Sequence, residues 1–406
     1  MADSPAATAT RPGAARSWLG FLLAALSLVV EGFDLQAANF AGPSIIADFH
    51  VAKTLNGPLQ SASLVGVLLG AILLAPLGDR YGRRSLIVTC CAAYGLISLI
   101  AAAATGFTQI VALRFLIGIG LGAVLPNALA LAGEFAPEKL LASAAGLVGI
   151  GITAGGTLAG ATAAIVVPQH GWQGVFVAGG ILPLAIAALL WLALPESPAF
   201  NRAAPREKGS VMLLLAPGDR ARTLAIWASF ALVLMVAYLL TAWTPLVIKD
   251  QGYSTQTATW IATAGQAGGV IGGIVASLAL SRKRWPVVAL FASIAALLML
   301  LLASHDWTPA LLATLLACQG FFSVGAQNGL NGSAGATYPA RIRSLGLGWA
   351  LGMGRVGSII GPFVGSAAVA LGLGAPRHFF YLPVAPLLIA ALLAVFLSRK
   401  NKMQGE

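Results

Sequence analysis

Four charged side chains, Glu31, Asp34, Arg114 and Arg355, fall well inside long apolar runs of the chain. A charge at the centre of a bilayer costs at least ~2.5–3.5 kcal/mol, so such groups are kept for a purpose or paired. Burial and a neighbouring like charge favour the protonated form of a carboxylate, whereas a nearby guanidinium favours the ionised form. Glu31 and Asp34 are three residues apart, share one side of a helix and can in that balance take up and release a proton. Arginine stays charged, which suits Arg114 and Arg355 to hold a carboxylate, either a neighbour's or that of an anionic guest. At ~1.5 Å per residue, Glu31 and Arg114 lie at comparable depths in the outer half of their runs, and Arg355 lies nearer the middle. The competing reading is that these groups form static ion pairs that glue helices together. Glu134 stands near the inner end of its run, where proton coupling competes with a loop-anchoring salt bridge.

The elements that must carry these residues follow from composition. Of 406 residues, 58% are hydrophobic and 9% charged, and the mean hydropathy is +0.87. A soluble domain carries roughly a quarter charged residues, which excludes a soluble multidomain enzyme, a nucleic-acid binder and a disordered chain. With ~20 apolar residues per crossing, twelve spans are expected, near Trp18–Phe40, Leu55–Leu77, Leu86–Thr105, Ile110–Phe135, Ala142–Val167, Gly174–Leu194, Leu224–Ile248, Ala258–Leu280, Val287–Ala303, Pro309–Ala334, Leu345–Leu371 and Phe379–Leu397. They lack the alternation of a membrane barrel, and unpaired backbone groups are not tolerated in lipid, so the fold class is an all-α polytopic membrane protein.

The net charge of +11 is distributed unevenly: 19 of the 24 Lys and Arg fall in segments on one side, and only Lys53, Lys249 and Arg377 on the other. That bias places both termini in the cytoplasm. Arg11 and Arg16 precede the first run, but Glu31 and Asp34 within it argue for a retained span over a cleaved signal peptide. Cys90, Cys91 and Cys318 lie in spans and are expected to be buried apolar thiols. His50, His170, His305 and His378 fall in outer loops with no metal-ligand spacing.

The longest polar stretch, 195–223, separates six spans from six. It divides the chain into a tail 1–17, a half 18–194, the central loop, a half 224–397 and a tail 398–406. Sliding the sequence by 202 residues sets Gly118 on Gly320, Pro137 on Pro339 and Asp79-Arg80 on Ser281-Arg282. Such a repeat points to a transporter whose site lies between the halves near mid-membrane. At the same offset Arg355 falls on Thr153, not on an acid, which makes an anionic ligand a candidate partner beside the static-pair reading.

Gly78-Asp79-Arg80-Tyr81-Gly82-Arg83-Arg84, between spans two and three, resembles the G-x-x-x-D-R-x-G-R-R signature of the major facilitator superfamily, with Ala75 in place of the leading glycine. A carboxylate beside several guanidiniums forms charge-assisted hydrogen bonds, so Asp79, Arg80, Gly82, Arg83 and Arg84 are the candidate gate. The copy Ser281-Arg282-Lys283-Arg284 lacks the acid. Arg114-x-x-x-Gly118-x-x-x-Gly122 supplies a smooth face for close helix contact, and Pro195-Glu196-Ser197-Pro198 also resembles the superfamily.

Glu31-Gly32-Phe33-Asp34 resembles the D-G-[FL]-D segment of the aromatic acid:proton symporters, with Glu for the first Asp. Tyr338-Pro339, Gly346-x-Gly348-Trp349, Gly354-Arg355-x-Gly357 and Gly361-Pro362 resemble the same family. Glu31-Gly32-Phe33-Asp34-Leu35-Gln36 and the short central loop are most similar to its 3-(3-hydroxyphenyl)propionate transporters. A departure is Leu141-Ala142, where members carry Arg-Gly. The resemblance implies the twelve-helix major facilitator fold in two pseudo-symmetric halves. It further implies import of an aromatic carboxylate with protons, at the bacterial inner membrane, by a monomer without cofactor or nucleic-acid partner.

On that reading Glu31, Asp34 and Glu134 handle protons, and Arg355, assisted by Arg114, binds the carboxylate. Phe33, Tyr238, Trp243, Phe321, Phe322 and Trp349 are candidate apolar walls. Gln266, Gln327, Asn328 and Asn331 are candidate partners of a ring hydroxyl. Gly352-x-Gly354-x-x-Gly357 fits a dinucleotide fingerprint but follows no strand. A drug exporter of the same fold is the nearest rival; its G-P-x-x-G-G segment is not matched, because Gly151, Gly155 and Gly156 occur without the proline. A membrane enzyme finds no H-E-x-x-H or G-x-S-x-G support.

Overall fold

A computed structural model describes residues 14–137, 140, 144–197, 211–216, 219–279, 284–339, 342–372 and 375–402, and these are almost wholly helical. The helices are α1 Ala14–Asp48, α2 Asn56–Leu73, α3 Leu77–Tyr81, α4 Arg83–Ala102, α5 Phe107–Phe135, α6 Ala144–Ala193, α7 Arg220–Asp250, α8 Thr255–Ala279, α9 Arg284–Ser304, α10 Pro309–Thr337, α11 Arg343–Ala370 and α12 Val384–Lys402. Eleven helical stretches are long and apolar enough to cross a membrane. The run α6 covers 50 residues and is broken at Gly171 (φ 65°, ψ −173°), so it crosses twice. The result is the expected twelve crossings in two six-crossing halves, α1–α6 and α7–α12. The Leu141-Ala142 departure and Ser281-Arg282-Lys283 lie outside the described residues.

The offset of 202 residues noted in the sequence is also the offset of the packing. In the first half, α2 and α5 meet along a glycine seam: a Cβ on Gly118 would strike the Ser63 backbone, one on Gly66 that of Phe115, and one on Gly70 that of Ile119. In the second half α8 and α10 meet at positions shifted by that same number: Gly320 against Gly265, Gly268 against Ala317, and Gly272 against Phe321. The α1–α6 contact of Gly155 on Val29 is likewise repeated between α11 and α7 as Gly357 on Ala231. Without a hydrophobic driving force between helices in lipid, close backbone approach supplies the dispersion contact that holds them.

The end of the bundle where α1 begins carries Arg80, Arg83 and Arg84 and is termed the basic end; the other is the far end. The halves are joined at the far end. Asn56 Nδ2 donates to the Ala242 carbonyl (2.9 Å), Ser61 Oγ to that of Ile359 (2.9 Å), and Gln256 Nε2 to that of Ala164 (3.2 Å). Ser366 Oγ accepts from Gly57 N (3.1 Å) and donates to the Thr54 carbonyl (2.6 Å), and Lys53 pairs with Asp250 at 2.7 Å. These bonds close the bundle at the far end.

Cys90 and Cys91 are buried, but Cys318 is exposed on α10, against the expectation of burial. An outward position on a membrane helix meets hydrocarbon, where a thiol is as much at home as in a core.

Candidate functional site

Between the halves lies a cavity of about 120 Å³ lined by α1, α6, α7, α8 and α10. A single water requires roughly 10–15 Å³ on the same measure, so the space admits a small ring compound. Its apolar wall includes Phe40, Ile152, Leu240 and Leu316, and its polar wall Gln36, Tyr238, Thr241, Gln266, Gln319, Ser323 and Gln327. Gln36 and Tyr238 are 202 residues apart, so the cavity straddles the axis that relates the halves. Gln266 Nε2 donates to Gln36 Oε1 across that axis at 2.7 Å and reaches Thr241 Oγ1 at 3.3 Å.

The four intramembrane charges are arranged as two separate couples. Glu31, on α1, is 1% exposed, and the cation whose field acts on it is Arg355 of α11, across the interface. Tyr238 lines the cavity and stands near Arg355, which itself lies outside the cavity wall. Asp34 is 3% exposed and turns into the first half. Its carboxylate lies against Gly179 of α6 and beside Ser98 of α4, so closely that a Cβ on Gly179 would sit 2.6 Å from Oδ1. The cation acting on Asp34 is Arg114. Residues three apart on a helix differ by about 60° in direction, enough to send the two acids to different surroundings.

Neither couple is a contact ion pair. Among the described residues no Arg nitrogen lies within 4 Å of the Glu31 or Asp34 carboxylate, and Glu31 Oε2 and Asp34 Oδ2 have no hydrogen-bond partner. Arg114 instead donates to the main-chain carbonyls of Asp34 (2.9 Å) and Leu35 (3.1 Å). It fastens α5 to α1 and does not line the cavity.

Glu134 belongs to a third group, at the basic end. Arg83 pairs with Glu134 and, at 2.9 Å, with Asp79, and Ser197 Oγ donates to Glu134 at 2.5 Å. Glu196 accepts from Arg84 N (3.1 Å) and Ser197 N (2.9 Å). Gly82 at φ +97° makes the turn, and a side chain there would collide with the Glu196 carboxylate. Arg84 covers Trp191, and Arg80 covers Tyr81. Asp79, Gly82, Arg83 and Arg84 thus lie in one cluster, to which Glu134 is added, whereas the contact of Arg80 is with Tyr81.

Of the remaining candidates, Tyr238, Gln266 and Gln327 line the cavity, and the others stand outside its wall. Phe33 packs with Phe40, Ala159 and Val175. Trp243 donates to the Pro362 carbonyl and stacks on Phe379. Phe321 and Phe322 pack with Phe291. Asn328 ties α10 to α8 through the Gly273 carbonyl at 3.2 Å, and Asn331 is half-buried on α10. Trp349 is 43% exposed and stacks on Trp227. Sequence reasoning missed Gln36, Thr241, Gln319 and Ser323 as cavity residues. A signal was present for two of them: Gln319, Ser323 and Gln327 recur every four residues and so share one face of α10.

The Major Facilitator Superfamily model matches residues 24–333. Among curated proteins the chain is 34% identical over 413 residues to the gallate transporter of Pseudomonas putida, covering 94% of this chain and 92% of that one. It is 34% identical over 386 residues to the 3-(3-hydroxy-phenyl)propionate transporter of Escherichia coli, with 93% and 94% covered. A bacterial homologue of the human lysosomal transporter Spinster, solved inward-facing and occupied, superposes with a TM-score of 0.72 at 19% identity, over 93% of this chain and 96% of that one. A D-xylose–proton symporter gives 0.72 at 18%, over 94% and 97%. Sequence family, duplicated twelve-crossing bundle and relatives coincide, and the chain belongs to the Major Facilitator Superfamily.

Proposed function

We propose that this protein imports a small hydroxylated aromatic carboxylate together with protons, by alternating access. In this reading it works as a monomer in the bacterial inner membrane, with its basic end and both termini in the cytoplasm. The observation that carries the reading is the cavity between the halves, whose wall includes Tyr238, a neighbour of Arg355, the cation acting on Glu31. Arg355 on one half and Glu31 on the other stand outside the cavity wall, and in this reading their charges act on a carboxylate held in the cavity. A negative interior opposes an entering anion by ~2.3 kcal/mol per 100 mV; one accompanying proton removes that penalty, and the pH gradient then drives accumulation.

In the proposed cycle Glu31 and Asp34 take up protons from the far side, and the substrate carboxylate binds Arg355. The halves then rock about the cavity, and the Asp79–Arg83–Glu134 cluster rearranges at the basic end. Relatives whose names cite gallate and 3-(3-hydroxy-phenyl)propionate, both at 34% identity, support the substrate class and leave the particular acid to experiment. Proteoliposomes with an imposed pH gradient test the reading against 3-(3-hydroxyphenyl)propionate, 4-hydroxybenzoate, gallate, benzoate and an aliphatic acid. Gradient-driven inward flux of an aromatic acid is the expected result; outward pumping of cationic drugs with no acid uptake overturns it.

A further inference from the structure

The cavity holds two polar groups with no hydrogen-bond partner among the described residues. Gln319 and Ser323 lie one turn apart on α10, are 5% and 6% exposed, and both line the cavity. Gln319 Nε2 and Ser323 Oγ have no hydrogen-bond partner. Gln36 and Gln266 on the same wall are already bonded to each other. Buried polar groups are paired in the great majority of cases, so two unpaired ones side by side at a cavity wall mark a place for a ligand group. An amide N–H offers a hydrogen, and a serine hydroxyl can accept one. Another hydroxyl satisfies both at once, accepting from the amide and donating to the serine oxygen.

The depth of these residues fits the rest of the site. Gln319 lies about 15 Å along α10 from its far end, and Arg355 about 22 Å along α11 from its far end. An axial offset of about 7 Å is of the order of one aromatic ring with its substituents.

Resting on the reading of the cavity as an aromatic-acid site, we propose that Gln319 and Ser323 form the ring-hydroxyl subsite: a phenolic hydroxyl donates to Ser323 Oγ and accepts from Gln319 Nε2 while the carboxylate lies at Arg355. The pair thereby selects hydroxylated over unsubstituted aromatic acids, because an unsubstituted ring leaves both groups buried and unpaired.

The test is uptake into proteoliposomes of two matched pairs, 4-hydroxybenzoate with benzoate and 3-(3-hydroxyphenyl)propionate with 3-phenylpropionate. The wild type is expected to favour the hydroxylated member of at least one pair by roughly tenfold in KM. Ser323→Ala and Gln319→Leu each bring that ratio to within about threefold, by raising the KM of the hydroxylated acid or lowering that of the unsubstituted one, and Ser323→Thr, which keeps the hydroxyl, keeps the preference. An unchanged ratio in both variants, or an equal rise in KM for both members of a pair, overturns the subsite while leaving the aromatic-acid reading intact. Absence of aromatic-acid uptake by the wild type removes that reading, and the subsite with it.

Discussion

Gln266 and Gln36 join the two halves by a side-chain hydrogen bond of 2.7 Å at the wall of the cavity. The bond belongs to the conformation closed at the far end and must part when the far end opens. Gln266→Leu leaves Gln36 Oε1 unpaired, a loss of about 1 kcal/mol, which shifts the equilibrium between the two conformations roughly fivefold toward the far-open one. Spin labels at positions 51 and 253, read by pulsed dipolar spectroscopy, are expected to show a larger long-distance population in the variant.

The two acids are predicted to separate coupling from binding. Asp34→Asn, which keeps the side chain's size beside Gly179, is expected to abolish accumulation against a gradient while sparing exchange of labelled for unlabelled acid. Wild-type uptake should quicken as the pH falls on the side from which substrate enters, since in the proposed cycle the proton is a co-substrate there; Glu31→Gln should flatten that dependence. Undiminished uphill uptake by Asp34→Asn refutes its coupling role.

At the basic end, Glu134→Gln removes one of the two carboxylates holding Arg83. Turnover is expected to fall about tenfold, the loss of about 1–2 kcal/mol from a charged hydrogen bond, with KM for the acid unchanged because the cluster lies far from the cavity. A rise in KM with turnover intact would place Glu134 in substrate binding instead.

The seams make a paired prediction. Gly118→Ala and Gly320→Ala each drive a methyl group into the opposing helix backbone and should destabilise by about 1–3 kcal/mol, to similar extents because the contacts are copies. Gly133→Ala and Gly335→Ala meet nothing within 4 Å and should be neutral or stabilise by up to about 1 kcal/mol. Melting temperatures of the four variants in detergent decide the matter.

Much of this architecture is legible in the chain because lipid imposes one rule on every crossing. Apolar runs of sufficient length declare the helices, and a glycine every fourth residue, as at Gly118 and Gly122, declares a seam. Charges were found because nothing else accounts for Arg355 in an apolar run. What was not legible is direction. Phe33 and Trp349 have the right chemistry for a cavity wall, yet Phe33 packs between helices and Trp349 faces outward on Trp227. Depth along a span is countable from sequence, whereas the side of the helix turned to the cavity depends on neighbours far away in the chain. Arg114 illustrates the same gap: its charge was visible, but its attachment to the carbonyls of Asp34 and Leu35 required the fold.

At two symmetry-related pairs near the centre, one member is plain and the other specialised: Thr153 answers Arg355, and Val233 answers Glu31. The acids sit in the first repeat, whereas Arg355, Tyr238, Gln319 and Ser323 sit in the second. On the proposed roles, fuel and cargo could thus be tuned on different copies after the ancestral unit was doubled. A lineage that switched to a new nutrient would be expected to record the change mainly beyond the central loop, leaving the ion-handling copy as it was.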